Sequence, residues 1–453
     1  MILDNKKHIH FIGIGGSGMF PIAQILHGEG YYITGSDNNE TDTLKLVREM
    51  GVPVTLGQKA ENIEGADLII HTAAIMADNP ELIAAKASGV PVLERSEILG
   101  EITARYKNTV CVSGTHGKTT TSSMLTQIML DADKDPTCVI GGKLPSIGGN
   151  GRRGKSENMV CEACEFVDTF LKLYPDVSII LNIDEDHLDY FKTLDNLIAS
   201  FTKFAEKTTK LLIINGDDKN TLKAVKDVNK DKVTFGFSPD NDFYPENVKS
   251  LGGVDSQFDL MYKGENLGTV ILHVPGRHNV LNAVAACAAA IKCGVSPENC
   301  IKGLDNFHGA GRRFELLKKV KGVTVVDDYA HHPAEVEVTL NAAKSLPFNK
   351  VWAVHQPFTY SRTFMLLDDF AKALSIADEV VLSEIMGSRE KNTYNIYSKD
   401  LAEKIDGCHW FNTFEEIADY VSENVKEGDL VITLGCGDIY KAAKMIIKKL
   451  EEK

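Results

Sequence analysis

Apolar and polar positions alternate along this chain in three successive blocks. Across residues 8–106, short apolar runs (IHFIGI, YYITGSD, ADLIIHTAA, VPVLE) are separated by segments of helical period such as residues 43–50. Short apolar runs bounded by turn residues read as buried strands, and their alternation with helices is the rhythm of a parallel βαβ sheet, so this block is expected to be Rossmann-like. A second block opens with a strand at 109–113 and passes through a glycine turn into a helix on which Met124, Leu125, Ile128 and Met129 share a face. It continues through MVCE, VSIILNI and KLLIINGDD, and the Ala-rich stretch 279–291 reads as a closely packed helix. The block is expected to end near Leu317, where the basic segment 318–321 resembles a connector. From Val323 the alternation resumes in VTVVDDY, KVWAVHQ, EVVLSEI and DLVITLGCG. Pro333 suits the first turn of a helix there, because its missing N–H is no loss. The predicted fold is α/β in three domains, 1–106, 107–317 and 318–453, with a Rossmann-like first domain, a central phosphate-loop domain and a Rossmann-like third.

The length of 453 residues agrees with about three domains, and 43% hydrophobic with 25% charged residues is the composition of a folded protein. Lys+Arg 49 against Asp+Glu 63 gives a net charge of −14, which argues against a nucleic-acid or membrane surface and points to small-molecule partners. The opening MILDNKKHIHFIGIG lacks a signal-peptide core, and no apolar run approaches bilayer length, so a cytoplasmic location is expected. Nine cysteines, an odd number scattered through apolar segments, read as buried free thiols. Cys161 and Cys164 form a CxxC, but no second pair completes a zinc site, and ordinary packing is the expected role.

Candidate chemistry begins at Gly13-Ile14-Gly15-Gly16-Ser17-Gly18, a GxGxxG between a strand and a helix carrying Ile22, Ile25 and Leu26. Small residues let the backbone approach a diphosphate, and the helix N-terminus supplies N–H donors. Asp37, where the second strand should end, could bind a sugar or base hydroxyl. His8 and His10 alternate on one strand face and read as satisfied strand histidines. The strongest signal is Gly114-Thr115-His116-Gly117-Lys118-Thr119-Thr120, again between strand and helix. Lys118 would reach the β- and γ-phosphates of a nucleotide and the Thr119 hydroxyl would hold Mg²⁺. The loop is tighter than the common phosphate loop, with only Thr115 and His116 between Gly114 and Gly117. Glu162 and His187 end two neighbouring strand patterns, the latter flanked by Asp184, Asp186 and Asp189, and are expected to add metal ligands.

GTHGKTTT, NIDEDHLDYF, VPGRHNVLNAVAA, GAGRRFE, DDYAHHPAEVE and LGCGDIYKAAK, in this order over nearly the whole chain, together resemble the Mur ligase family. GIGGSGM and DYAHHP are similar to its branch that adds L-alanine. The resemblance implies a UDP-binding domain, an ATPase domain and a C-terminal ligase domain, in a monomer or homodimer. It implies ATP-dependent joining of L-alanine to the lactyl carboxylate of UDP-N-acetylmuramate through an acyl phosphate, with Mg²⁺ or Mn²⁺ as cofactor. By the same resemblance Gly16, Ser17, Gly18, Ser36, Asp37, His71 and Thr72 would hold UDP. Lys118 and Thr119 would meet the ATP phosphates, Thr119, Glu162 and His187 the metal, and His278, Asn279 and Asn282 the adenine. Arg313 and Asp328 would serve ATP, and Tyr329, His331, His332 and Arg362 the amino acid, with a histidine of this pair orienting it or taking the amine proton. EACEFVD stands in place of the family's EADESD-type run, which leaves the role of Glu165 open. QPFTYSR keeps one arginine, Arg362, where many members have two, and Lys203 carries no assigned role. The rival readings are a related ligase adding a peptide or another amino acid, a nicotinamide-dependent oxidoreductase, which leaves GTHGKTTT unexplained, and a nucleotide-sensing module without turnover.

Overall fold

The computed structural model of the chain describes residues 2–186, 188–388 and 390–453. Three sheets carry the fold. The first is parallel, in the order Val54–Leu56, Tyr32–Asp37, His8–Ile12, Leu68–His71, Val92–Glu94. The chain reverses its direction of winding beside His8–Ile12, the switch point at which open α/β sheets bind ligands outside their strand ends. His8 and His10 meet expectation. Both accept or donate to Thr34 Oγ1 at 2.8 Å, and His10 Nε2 lies 2.6 Å from Glu81 Oε1 in the interior.

The second sheet has ten strands, and its centre is Leu211–Asn215, Val177–Ile180, Asn108–Ser113, Asn158–Glu162 and Thr137–Leu144, paired in parallel. Central strands in such a sheet are buried on both faces and so read as continuous apolar runs, as VCV, MVC and LII do here. The helix Lys118–Asp131 buries Met124, Leu125, Ile128 and Met129 on the face expected. The strands Phe243–Gly252, Asp255–Tyr262 and Glu265–Leu272 extend one edge as a meander.

The third sheet runs Glu315–Val320, Val323–Asp328, Leu430–Leu434, Val351–His355, Glu379–Leu382, His409–Trp410, parallel except for its first pair. Residues 318–321 are therefore not a connector. They form the end of an edge strand and its turn, and the charged Lys318 and Lys319 stand on that edge in the way edge strands resist pairing with other chains. Pro333 opens the helix Pro333–Lys344 as expected.

The chain divides into two compact units. The first, residues 1–247, 258–270 and 280–307, joins the N-terminal sheet to the central one. Within it Gly151 lies so close to Pro21 that a Cβ would come within 2.3 Å of it, and Asn150 Nδ2 donates to Ser17 O at 2.7 Å. The second unit, residues 248–257, 271–279 and 308–453, has an apolar cluster on each face of its sheet. Among the described residues no helix is long and apolar enough to cross a membrane. All nine cysteines are free thiols, and Cys161 faces Cys111 across paired strands.

Candidate active site

The tight glycine turn forms as the sequence predicts, between the strand Asn108–Ser113 and the helix Lys118–Asp131. Gly114 and Gly117 have φ of 136° and 87°, a region closed to most side chains, so glycine is required at both. The end of the neighbouring strand pins the turn. Thr115 N donates to Asn182 O at 3.0 Å, His116 N to Asn182 Oδ1 at 2.8 Å, and Asp184 N to Thr115 Oγ1 at 2.9 Å. Asn182 was not anticipated; its place between a strand and the acidic run is the only sequence signal for it. Asn282 packs on the turn from the Ala-rich helix Arg277–Lys292, its Oδ1 standing 2.6 Å from where a Cβ on Gly117 would lie.

Lys118 Nζ donates to Gly114 O (2.6 Å), Thr115 O (3.0 Å) and Glu165 Oε1 (3.0 Å). Burial, the largest single influence, would pull the lysine pKa down, but the Glu165 carboxylate beside it, together with Cys164 and Glu162, raises it on balance, so the ammonium stays charged. Glu165, whose role the sequence left open, is 1% exposed and is the counter-ion of the phosphate-loop lysine. The two residues after Phe166 explain its aim. Val167 and Asp168 adopt φ of 55° and 57°, strained for a β-branched residue above all, and turn the chain sharply behind the carboxylate.

Glu162 and Thr119 converge on one gap. A Cβ on Gly141 would lie 2.5 and 2.6 Å from the Glu162 carboxylate oxygens and 2.6 Å from Thr119 Oγ1, so the glycine keeps open a space bordered by a carboxylate and a hydroxyl. Oxygen donors of this kind suit Mg²⁺ or Mn²⁺. Gly141 N donates to Glu162 Oε2 at 2.8 Å and holds it there. His187, the third expected metal ligand, lies outside the described residues, as does the side chain of Asp189. Among the described residues no group of three or more His, Cys, Asp or Glu could hold a metal ion by itself. Lys203 is exposed on the helix Leu194–Lys207.

In the N-terminal sheet a cavity of about 570 Å³ opens at the strand ends, lined by Gly13, Gly16, Asp37, Thr72 and others. Asp37 ends its strand as predicted, but its carboxylate also builds the turn: Oδ2 accepts from Gly15 N at 2.9 Å and Oδ1 from Asn39 N at 3.1 Å. Ser36 does not join the cavity. Its hydroxyl is fully buried and donates to Glu81 Oε2 at 2.7 Å. His71 Nδ1 lies 3.0 Å from Thr72 O, Ser17 offers its carbonyl to Asn150, and Gly18 gives passage to the Arg95 side chain, 3.1 Å from where its Cβ would be.

The remaining residues lie in the second unit. The Tyr329 ring has two guanidinium groups near it, Arg312 at 5.1 Å and Arg313 at 5.2 Å from its centre, and lies 5.3 Å from the His331 ring. His331 Nδ1 faces Glu335 Oε2 and Tyr329 O, both at 3.1 Å. His332 caps the helix Pro333–Lys344 through Nδ1, which accepts from Ala334 N at 3.4 Å, so one of its ring nitrogens is committed to the fold. Asp328 accepts from Phe314 N (2.7 Å) and Ala330 N (2.8 Å), and burial pushes its carboxyl up to about 6 despite Arg313 nearby. Asn279 Nδ2 donates to Pro275 O at 2.7 Å at the helix start, and His278 is exposed. Arg362 is half-buried on the short helix Tyr360–Met365, launched by Thr359 at φ 64°. Arg312 was not anticipated beside Arg313. It donates to Asp327 Oδ2 (2.8 Å), Gly437 O (3.1 Å) and Gly435 O (2.5 Å) and ties the sheet ends together.

Residues 8–107 match the model of the Mur ligase family catalytic domain, 112–290 that of the Mur ligase middle domain, and 312–437 that of the Mur ligase glutamate ligase domain. The chain is 47% identical over 449 residues to a UDP-N-acetylmuramate--L-alanine ligase of Agathobacter rectalis, covering 98% of each chain. It is 44% identical to the enzyme of that name from Alkaliphilus metalliredigens, covering 97% of each. Among solved structures, the UDP-N-acetylmuramate-alanine ligase of Thermotoga maritima superposes with a TM-score of 0.85 at 29% identity, over 99% of this chain and all of that one. The chain belongs to the Mur ligase family.

Proposed function

We propose that the chain joins L-alanine to the lactyl carboxylate of UDP-N-acetylmuramate, with ATP consumed to ADP and phosphate, in the making of peptidoglycan precursors. The observation that carries this reading is the tight phosphate loop with its charged Lys118 beside the Thr119–Glu162 gap, in a chain 47% identical to a ligase of that name.

A carboxylate is a poor electrophile and must be activated before an amine can attack it. In the proposed reaction a carboxylate oxygen attacks the γ-phosphorus of ATP, the bond to the bridging oxygen breaks, and ADP leaves. The amine nitrogen of L-alanine then attacks the acyl carbon, the bond to phosphate breaks, and the nitrogen gives up a proton. Lys118, drawn from Glu165 to the phosphates, neutralises charge that builds on them, and the backbone N–H groups after Gly117 face the same oxygens. Thr119 and Glu162 would hold Mg²⁺, which when bound adds charge neutralisation at the phosphates. Asn282, packed on the turn, borders the nucleotide. The Gly16–Gly18 turn and Thr72 receive the diphosphate of the sugar nucleotide. His331, oriented by Glu335, takes the ammonium proton or positions the amine, with Tyr329 and Arg362 completing the amino-acid contacts.

The test is ADP release by the purified chain with ATP, Mg²⁺, UDP-N-acetylmuramate and a panel of L-alanine, glycine, L-serine and a tripeptide. The reading expects release that needs both the sugar nucleotide and an amino acid and is fastest with L-alanine. A preference for the tripeptide would assign the chain to the peptide-adding branch instead.

A further inference from the structure

Three side-chain amides, those of Asn38, Gln58 and Asn79, line the cavity of the N-terminal sheet. Their orientations are linked in series. Asn79 caps the helix Pro80–Ala87, its Oδ1 accepting from Glu81 N at 3.0 Å and Leu82 N at 3.1 Å. An amide that caps with its oxygen presents its nitrogen elsewhere, and Asn79 Nδ2 donates to Gln58 Oε1 at 2.5 Å. Asn38 Nδ2 donates to that same oxygen at 3.0 Å. Both lone pairs of Gln58 Oε1 are thereby occupied, and the polar atom left to Gln58 is Nε2, a donor with no acceptor among the described residues. A helix cap thus fixes, through one intermediate amide, which end of Gln58 a ligand meets. Ile75 and Met76 border the same cavity, and Met76 is 61% exposed, an apolar surface against which a planar ring can lie. Gly13 and Gly16, on the glycine turn, line it as well.

We propose that Gln58 reads the base of the sugar nucleotide, donating from Nε2 to the C4 carbonyl of uracil. Uracil carries a carbonyl at C4 where cytosine carries an amino group, so a donor locked in place accepts the first and leaves two donors facing each other with the second. A ribose hydroxyl, which both donates and accepts, would need no such locking. This assignment rests on the reading of the cavity as the UDP-sugar site.

The test compares binding of UDP-N-acetylmuramate, UDP and CDP to the full chain by titration calorimetry. Wild type should bind UDP about tenfold or more tighter than CDP, the discrimination expected when a mismatched pair leaves buried polar groups unpaired. Gln58→Glu keeps the shape and replaces the donor by an acceptor. Its added charge weakens both nucleotides, but the UDP-to-CDP ratio should fall to about one or below. Asn79→Ser retains a helix cap while removing the donor that aims Gln58, so it should lower the ratio with the melting temperature kept. The KM for ATP should be unchanged in both variants. Equal affinity of wild type for UDP and CDP, or a ratio unaltered in both variants, overturns the assignment to Gln58. Wild type that binds UDP-N-acetylmuramate in neither the presence nor the absence of ATP overturns the substrate reading beneath it.

Discussion

Glu165 holds Lys118 in place across the phosphate loop, with Nζ 3.0 Å from one carboxylate oxygen and 2.9 Å from the other. The lysine that must meet a nucleotide is therefore kept charged, in a buried site, by a carboxylate that the incoming phosphates have to replace. The pair sets the starting state of the reaction.

Glu165→Gln keeps the side-chain shape but removes the charge that raises the Lys118 pKa. A buried ammonium without its counter-ion is costly, and losing one partner of such a pair costs about 3 kcal/mol or more. ADP release should fall about tenfold or more, while the affinity for UDP-N-acetylmuramate stays at its wild-type value. Steady-state kinetics with each substrate varied in turn checks this.

Gly141→Ala places a methyl group 2.5–2.6 Å from the Glu162 oxygens and Thr119 Oγ1. The gap proposed for Mg²⁺ is filled without touching the hydrophobic core. Turnover should drop about a hundredfold or more, as for loss of a principal electrostatic contact to the transition state. Thermal stabilisation by Mg²⁺-ATP should vanish and that by the UDP-sugar remain.

Arg312→Ala leaves Asp327, 1% exposed, without the guanidinium that pairs with it, and removes two donors from Gly435 and Gly437 carbonyls. The second unit should lose about 3 kcal/mol of stability, read as a lower urea midpoint in its unfolding. Arg313→Ala removes the guanidinium 5.2 Å from the Tyr329 ring and should lower activity.

Burial pushes the imidazole of His355 down from 6.5 to about 4, although Nδ1 faces Leu434 O at 3.0 Å. The unfolded chain then binds a proton here that the folded protein does not. Its contribution to stability is full above pH 6.5 and is lost as pH falls from 6.5 toward 4. Asp328 has the opposite sign: burial raises it from 3.8 to about 6, so its contribution is full below 3.8 and is lost as pH rises to 6. His355→Phe removes only the first effect. The variant should melt below wild type at pH 7.5, and the difference should shrink or reverse by pH 4.5. Melting temperatures that differ by a constant amount across this range would contradict the assignment.

The inner strands of the three sheets were legible where they are continuous apolar runs, and the phosphate loop because strand, glycines and helix follow one another without interruption, whereas Thr137–Leu144 and the meander Phe243–Gly252, Asp255–Tyr262 and Glu265–Leu272 were not read. The edge strand Glu315–Val320 was hidden by its lysines, since a strand with one open edge needs no apolar run. Glu165 could not be placed from sequence because its aim depends on the left-handed pair Val167–Asp168, which no residue type there signals. Ser36 and Asp37 are neighbours with opposite fates: strand alternation sends Ser36 into the buried Glu81 network and leaves Asp37 at the cavity. His332 shows the same limit, because a histidine that caps a helix and a histidine that meets a substrate look alike until the backbone is seen.

In the proposed reaction Lys118 grips the phosphates of an ATP whose terminal phosphoryl group passes to a sugar-nucleotide carboxylate. Positional isotope exchange in ATP, followed with UDP-N-acetylmuramate present and L-alanine absent, measures that transfer directly in wild type and in Lys118→Ala. Scrambling should depend on the sugar nucleotide in wild type and be lower by about a thousandfold in the variant. Scrambling that proceeds without the sugar nucleotide, or that survives Lys118→Ala unchanged, would contradict the proposed reaction.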